Sequence, residues 1–350
     1  MQQFILAAYA YARGKIHMEP LESRKLQKTS GSPGTFLISL PSGWVRANDL
    51  EKGDELAIKW SEDRNYLLIY PKQGNRSKQM EIIIRESDET RTQRDILKNY
   101  LEGYQVLIVT RDPNKSSLCY PDVIKGLSRR LFGLEVVAEE QSKIELHYTA
   151  DPHLDPHLFL EMSYSNAIKM FDDVIKAYLD FDTNLAMNVI DRDNDVNRLY
   201  FLIVRMLKLM VQDITGQHNV PPVECLDFRM VASYAENIGD RAVEIARRVE
   251  KINNPLLTSS KELRQEIFRY TAEICEDLRQ VVKAFINHQV EKAEKMKRKA
   301  QKELTSEIPL LRGQFNHESE ESDKLTYLLP AFQRLLEIIA DIADLVIGEE

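Results

Sequence analysis

From Pro156 to Glu350, apolar residues return every three or four positions almost without interruption. That period is satisfied by amphipathic helices packed on one another and by little else. Three breaks interrupt it, at Gly216 to Pro222, Asn253 to Ser260 and Glu307 to Asp323. They predict helices over Leu158 to Asp180, Thr183 to Thr215 and Val223 to Lys251, then over Lys261 to Asn287, Val290 to Glu307 and Lys324 to Ile347. Three helices with short connections make an antiparallel bundle, so two bundles are expected, at 156–251 and 257–350. A period this long points to an internal duplication.

Upstream the period changes. Ser23 to Lys72 carries short alternating runs punctuated by Gly, Pro, Asn and Asp, the pattern of strands and tight turns. Gln79 to Thr149 alternates strand-like runs (Met80 to Arg85, Gln105 to Thr110, Leu134 to Ala138, Lys143 to Tyr148) with helix-like ones (Thr90 to Leu101, Pro121 to Leu131), which predicts a small α/β layer. Three distant cysteines without a C-x-x-C exclude a disulfide framework and a cysteine zinc site, and they fit a reducing cytoplasm. The net charge of −8 excludes coating of nucleic acid by bulk charge, so any DNA contact must be a local patch. No run reaches the roughly 18 residues of a membrane span, and no membrane insertion is expected. Residues 1–17 carry a short apolar run without preceding basic residues; they read as an extension or a misassigned start ahead of a folded chain starting at Met18, a signal peptide being the alternative.

The helix around Val231 to Val249 shows where chemistry could sit. Val231, Tyr234, Ala235, Ile238, Ala242, Ile245 and Val249 form one apolar stripe. Gly239 costs about 1 kcal/mol against Ala there, which asks for close helix approach or a ligand near the backbone. Glu236 and Asp240 stack four apart on the opposite face, where like charges repel. The spacing recurs at Glu337 and Asp341 in the last helix and at Asp191 and Asp195. A solvated acidic face explains any one pair. Recurrence in both bundles points instead to hard divalent or trivalent cations, which take several carboxylate oxygens.

These residues resemble a known family. Glu236-Asn-Ile-Gly-Asp240 followed by Arg241-Ala-Val-Glu-Ile-Ala246 is similar to the Glu-Arg-Ile-Gly-Asp…Ile-Ala helix of PhoU proteins, with Asn237 where Arg is usual. Glu224-Cys-Leu-Asp-Phe-Arg229 fits the start of that helix. Val196-Asn-Arg-Leu-Tyr-Phe201 resembles the close of the family's Asp-x-x-x-Asp helix, and Glu337 to Asp341 takes the matching place in the second repeat. The resemblance covers roughly residues 156–350. It implies tandem three-helix bundles, surface metal clusters held by these carboxylates, with iron, zinc or manganese as the metal, and a role in phosphate homeostasis. By its flanks the Asp-x-x-x-Asp motif falls on Asp193 and Asn197; Asp191 and Asp195 keep the literal spacing two residues earlier. The equivalent helix of the second repeat carries Lys295, Arg298, Lys299 and Lys302 where acids would be needed, so that repeat holds a reduced site or none. Those bases form either a solvated face, with Glu291–Lys295 and Glu294–Arg298 as i, i+4 pairs, or a patch for an acidic partner.

A second resemblance lies at the N-terminus. Ser23-Arg-Lys-Leu-Gln-Lys28, Phe36-Leu-Ile-Ser-Leu-Pro41, Trp44 and Lys52-Gly-Asp-Glu-Leu56 resemble a SpoVT/AbrB-type swapped-hairpin DNA-binding domain over 18–74. Phe36, Ile38 and Leu40 alternate, Pro41 ends the run, and Gly53-Asp54 supplies a turn. So small a unit cannot close a core alone, and such domains interleave two chains into a homodimeric barrel. The resemblance makes Arg24, Lys25, Lys28, Arg46 and the loop residue Ser32 contacts for double-stranded DNA. Basic and acidic residues balance across 18–72, which predicts weak nonspecific affinity.

Asp151-Pro-His-Leu-Asp-Pro-His157 invites a metal reading, but its Asp-Pro steps disfavour helix, so His153 and His157 need not share a face. No nucleotide loop or nucleophile–base motif appears, and no enzyme is read. The expectation is a cytoplasmic regulator of phosphate uptake: a dimeric hairpin domain on DNA, an α/β connection (79–149), and a helical part that senses metal or phosphate status or docks a transporter component. The alternatives are an interaction protein that modulates phosphate transporter components without binding DNA, and a metal-handling helical protein.

Overall fold

The computed structural model describes residues 23–29, 34–60, 67–71, 79–84, 89–111, 121–140, 142–151, 154–213, 220–249, 261–315 and 327–348. Ser32, His153 and residues 1–17 lie outside them. The chain divides into two units, 1–76 and 77–350.

In the first unit, β1 (Gln27–Lys28) pairs antiparallel with β2 (Phe36–Leu37), and β3 (Leu56–Trp60) with β4 (Leu67–Pro71). Between the pairs stands α1 (Ser42–Ala47), which starts directly after Pro41. Asp54 closes the turn before β3, its carboxylate accepting from the Glu51 amide at 2.7 Å while its own amide donates to the Glu51 carbonyl at 3.2 Å. Among the described residues the pairs remain two separate sheets, not the closed barrel expected. The strands β1 and β2 are too short to wrap a core, and the apolar alternation stops at α1. Phe36, Ile38, Ile58 and Trp60 consequently stand in solvent, Trp60 at 64 % exposure.

The second unit opens with the α/β layer. Strand β5 (Gln79–Ile84) runs parallel to β6 (Val106–Arg111), and α2 (Glu89–Leu101) makes the crossover that parallel strands require. Helix α3 (Pro121–Arg129) precedes the hairpin β7 (Leu134–Glu139) and β8 (Lys143–Tyr148), and β8 pairs antiparallel with β6, giving the order β5-β6-β8-β7. Leu107, Val109, Leu134, Ile144 and Leu146 meet Ile96, Tyr100 and Ile124 of the helices in one buried cluster.

The helices follow the expected order: α4 (Pro156–Asp180), α5 (Thr183–Gln212), α6 (Cys225–Val249), α7 (Lys261–Ile286), α8 (Val290–Thr305), α9 (Glu307–Phe315) and α10 (Leu329–Ile347). Asp155 caps α4 through the His157 amide at 3.1 Å, and Pro156 takes the first helical position, where no amide hydrogen is needed. Phe181 in the left-handed region and the cap Asp182, accepting from the Leu185 amide at 3.0 Å, turn the chain into α5. The stretch expected as a break after Glu307 holds α9. Pro309 lies in its first turn, where a missing amide hydrogen does little harm. The two bundles share a single core rather than standing as independent units. Phe171 of α4 meets Phe332 of α10 edge-on at 6.0 Å between centroids, Phe332 meets Tyr270 of α7 at 5.4 Å, and Arg264 of α7 donates to the Leu179 carbonyl at 2.8 Å.

The α/β layer is fastened to the first bundle by Arg205, 1 % exposed on α5. Its guanidinium donates to the Tyr100 and Tyr104 carbonyls and lies 3.9 Å from the centroid of the Tyr148 ring. Beside it Gly103 sits at φ +88°, and a side chain there would come within 2.5 Å of Leu209 Cδ2. Lys208 and Glu102 pair at 3.0 Å on the outside of this joint.

Candidate functional site

Helix α5 turns Asp193 toward α6, in phase with the buried Val189 and Val196, and leaves Asp191 and Asp195 exposed. Of these three acids, Asp193 alone contributes to the raised pKa of Glu236 on α6. Asn197, one turn on, donates to Asp193 Oδ2 at 2.8 Å, while Oδ1 is buried with no hydrogen-bond partner. That unpaired oxygen lies against Gly239: a Cβ at 239 would stand 3.5 Å from Asp193 Oδ1, 3.6 Å from Val196 Cγ1 and 3.8 Å from Met170 Cε. These are ordinary van der Waals distances, so close helix approach, one of the two reasons expected for this glycine, does not by itself require it.

Glu236 and Asp240 flank Gly239 on α6, the first half-buried and the second exposed. Burial pushes the Asp193 carboxyl above its ordinary value and the Asp240 charge adds to it, against the Asn197 hydrogen bond and the more distant Arg247. Burial likewise raises Glu236, then Asp240 and Asp193 raise it further. The three side chains thus form one electrostatic cluster of hard oxygen donors suited to a hard cation. Among the described residues, no three acids stand together at the distances a bound cation needs. Occupancy would require Asp193, Glu236 and Asp240 to draw inward by rotamer change.

The acids of the second repeat are already engaged. Arg334 lies 3.3 Å from Glu337 and 3.9 Å from Asp341, and Gln333 donates to Glu337 at 3.1 Å. Tyr234 of α6 has its hydroxyl pushed up, first by burial and then by Asp341. A resident arginine thus neutralises these two carboxylates. Its spacing, three residues before Glu337, was the sequence signal for this. On α8, Arg298 pairs with Glu294 at 2.6 Å, Lys299 with Asp277 at 2.5 Å, and Lys297 with Asp344 of α10. Arg298 and Lys299 of this basic stretch, with Lys297 between its members, are paired within the fold.

In the first unit Arg24, Lys25, Lys28 and Arg46 are all exposed. Lys28 sits over the Phe36 ring at 5.7 Å, and Arg46 Nε donates to the Ser42 carbonyl at 3.3 Å. His157 pairs with Asp155 at 2.9 Å and packs edge-on to Phe228, so it serves the start of α4. Among the described residues no helix is long and apolar enough to cross a membrane.

Residues 161–249, which contain Asp193, Glu236, Gly239 and Asp240, match the PhoU domain family. Over 146 residues the chain is 25 % identical to a phosphate-specific transport system accessory protein PhoU homolog of Burkholderia sp, covering 40 % of this chain and 59 % of that relative's length. Among solved structures, it is similar to the phosphate transport system regulatory protein PhoU from Streptococcus pneumoniae, with 16 % identity, TM-score 0.46, and 55 % of this chain and 91 % of that one covered. PhoU from Pseudomonas aeruginosa gives 18 % identity and TM-score 0.46 over 55 % and 93 % of the two chains. The segment around the Asp193–Glu236–Asp240 cluster is thus the part of the helical region that matches the PhoU domain family.

Proposed function

We propose that this protein regulates phosphate transport through its helical region, with a cation held by Asp193, Glu236 and Asp240 as the sensed or structural component. The observation that carries the reading is that the PhoU-matching segment 161–249 is also the segment that sets a buried, unpaired carboxylate oxygen beside Gly239. Iron, zinc and manganese are the metals to test first; each accepts carboxylate ligands. Glu337 and Asp341, engaged by Arg334, are secondary. The first unit is assigned to homodimerisation and DNA. Its exposed Phe36, Ile38, Ile58 and Trp60 are the surface a second chain would cover, and Arg24, Lys25, Lys28 and Arg46 are exposed for phosphate contacts.

Phosphate uptake in a strain lacking the protein tests the core of this reading. Uptake should stay high in phosphate-rich medium, and the wild-type gene should restore repression while the Glu236→Gln/Asp240→Asn double variant does not. Unchanged uptake in the deletion strain would contradict it. DNA binding by the full chain, lost on substituting Arg24, Lys25 and Lys28 by Ala, would place control at transcription; absence of binding at low salt would leave direct action on transporter components.

A further inference from the structure

A second site lies far along the chain from the first. Helices α7 and α8 and the start of α9 line a half-open cleft of about 300 Å3, formed among others by Arg269, Tyr270, Lys302, Glu303 and Glu307. Its inner wall is made by Tyr270 and Glu303, 3 % and 7 % exposed. Neither the Tyr270 hydroxyl nor Glu303 Oε2 has a partner in good hydrogen-bond geometry; the two groups lie close enough for the hydroxyl to favour the carboxylate, and no other donor reaches that oxygen. A buried carboxylate oxygen without a donor is costly, so this wall is short of N–H groups.

The cations of the fold serve this wall only in part. Lys299 is drawn to Asp277 at 2.5 Å and reaches the other Glu303 oxygen only at 3.7 Å, and Arg269 is paired with Glu273 at 2.6 Å. Glu303 and Glu307 are left inside, with Lys302 exposed at the rim. Acid lies deep and base shallow, which is the complement of a molecule with a positive head and a negative tail.

We propose that this cleft binds a compact zwitterion whose primary ammonium donates to Glu303 Oε2 and the Tyr270 hydroxyl, and whose anionic group, carboxylate or phosphate, meets Lys302. An ammonium supplies three donors and satisfies both unpaired atoms at once. The volume stands at the lower end of small-molecule sites, which limits the ligand to a few carbons between its charges. The site lies outside the PhoU-matching segment and does not rest on the phosphate-transport reading.

Calorimetry on the full chain with glycine, β-alanine, phosphoethanolamine, putrescine and betaine tests this. At least one of the three primary-amine zwitterions should bind with Kd below about 1 mM, and the better of carboxylate and phosphate identifies the tail. Putrescine, without an anion, and betaine, without N–H donors, should each bind about tenfold more weakly or worse. Tyr270→Phe, which keeps the buried ring, and Glu303→Gln should each weaken the best ligand about tenfold, while Glu236→Gln leaves it unchanged. The proposal is overturned if no zwitterion binds up to about 10 mM, if betaine equals glycine, or if Tyr270→Phe binds as wild type. A failure of Glu303→Gln to fold leaves the Tyr270→Phe comparison decisive.

Discussion

Gly239 faces Asp193 so closely that a methyl group on the glycine would rest 3.5 Å from the unpaired Oδ1. That is ordinary contact, not a clash. Gly239→Ala is therefore expected to hold or raise the stability of the metal-free protein, by up to about 1 kcal/mol from helix propensity. The same methyl covers the oxygen, so stabilisation by Mn2+ should shrink. Urea denaturation with and without the ion checks both halves.

The pH dependence has a definite sign. Asp193 and Glu236 have folded-state pKa values above their ordinary ones. Below the ordinary range both states hold the proton and nothing is lost. As pH rises through about 4, the unfolded carboxylates ionise first and stability falls until the folded groups follow. Asp193→Asn removes one of these groups. It should stabilise the metal-free protein near pH 7 and lose that advantage near pH 3, as thermal melts across the range would show. In the presence of a bound cation the advantage should reverse.

Arg205 carries the joint between the α/β layer and the helices. Arg205→Leu removes the guanidinium donors from the Tyr104 carbonyl and from the buried Tyr100 carbonyl, which keeps only the Gly103 amide at 3.1 Å, and it removes the stacking on Tyr148. A loss of about 2 to 4 kcal/mol is expected, with amide exchange accelerating first in β6 and β8. An unchanged exchange pattern there would show that the layer is held by other contacts.

Gly103→Ala strains the same joint differently. A side chain at φ +88° is unfavourable and meets Leu209. About 1 to 3 kcal/mol should be lost, while Leu209→Ala in the same chain should recover the steric part.

The helical half was legible because α4 to α8 and α10 each bury a stripe whose period leaves few other folds. Their observed ends fall within a few residues of the breaks in the pattern. Helix α9 lies in the stretch from Glu307 expected as a break, and its Pro309 falls in the first turn, where a proline breaks nothing. In α1, six residues are too few for a period to register. At the site, spacing could not separate Asp193 from Asp191 and Asp195. Only the phase of α5 against its buried Val189 and Val196 decides which acid turns inward. Arg205 was visible as a charge inside Leu202-Ile-Val-Arg-Met-Leu207, but what it binds comes from a segment a hundred residues earlier, which no local pattern reveals. The unpaired Glu303 oxygen gave no sequence signal, since Glu303 looks like any acid on a charged helix.

Direct titration of the metal-stripped full chain with Mn2+, Fe2+ and Zn2+, wild type beside Asp193→Asn and Glu236→Gln/Asp240→Asn, bears most closely on the carboxylate cluster. At least one ion should bind the wild type tightly and both variants about tenfold or more weakly, each loss tracing to a coordinating oxygen. Equal binding by all three proteins, or none by the wild type, would contradict a cation at Asp193, Glu236 and Asp240.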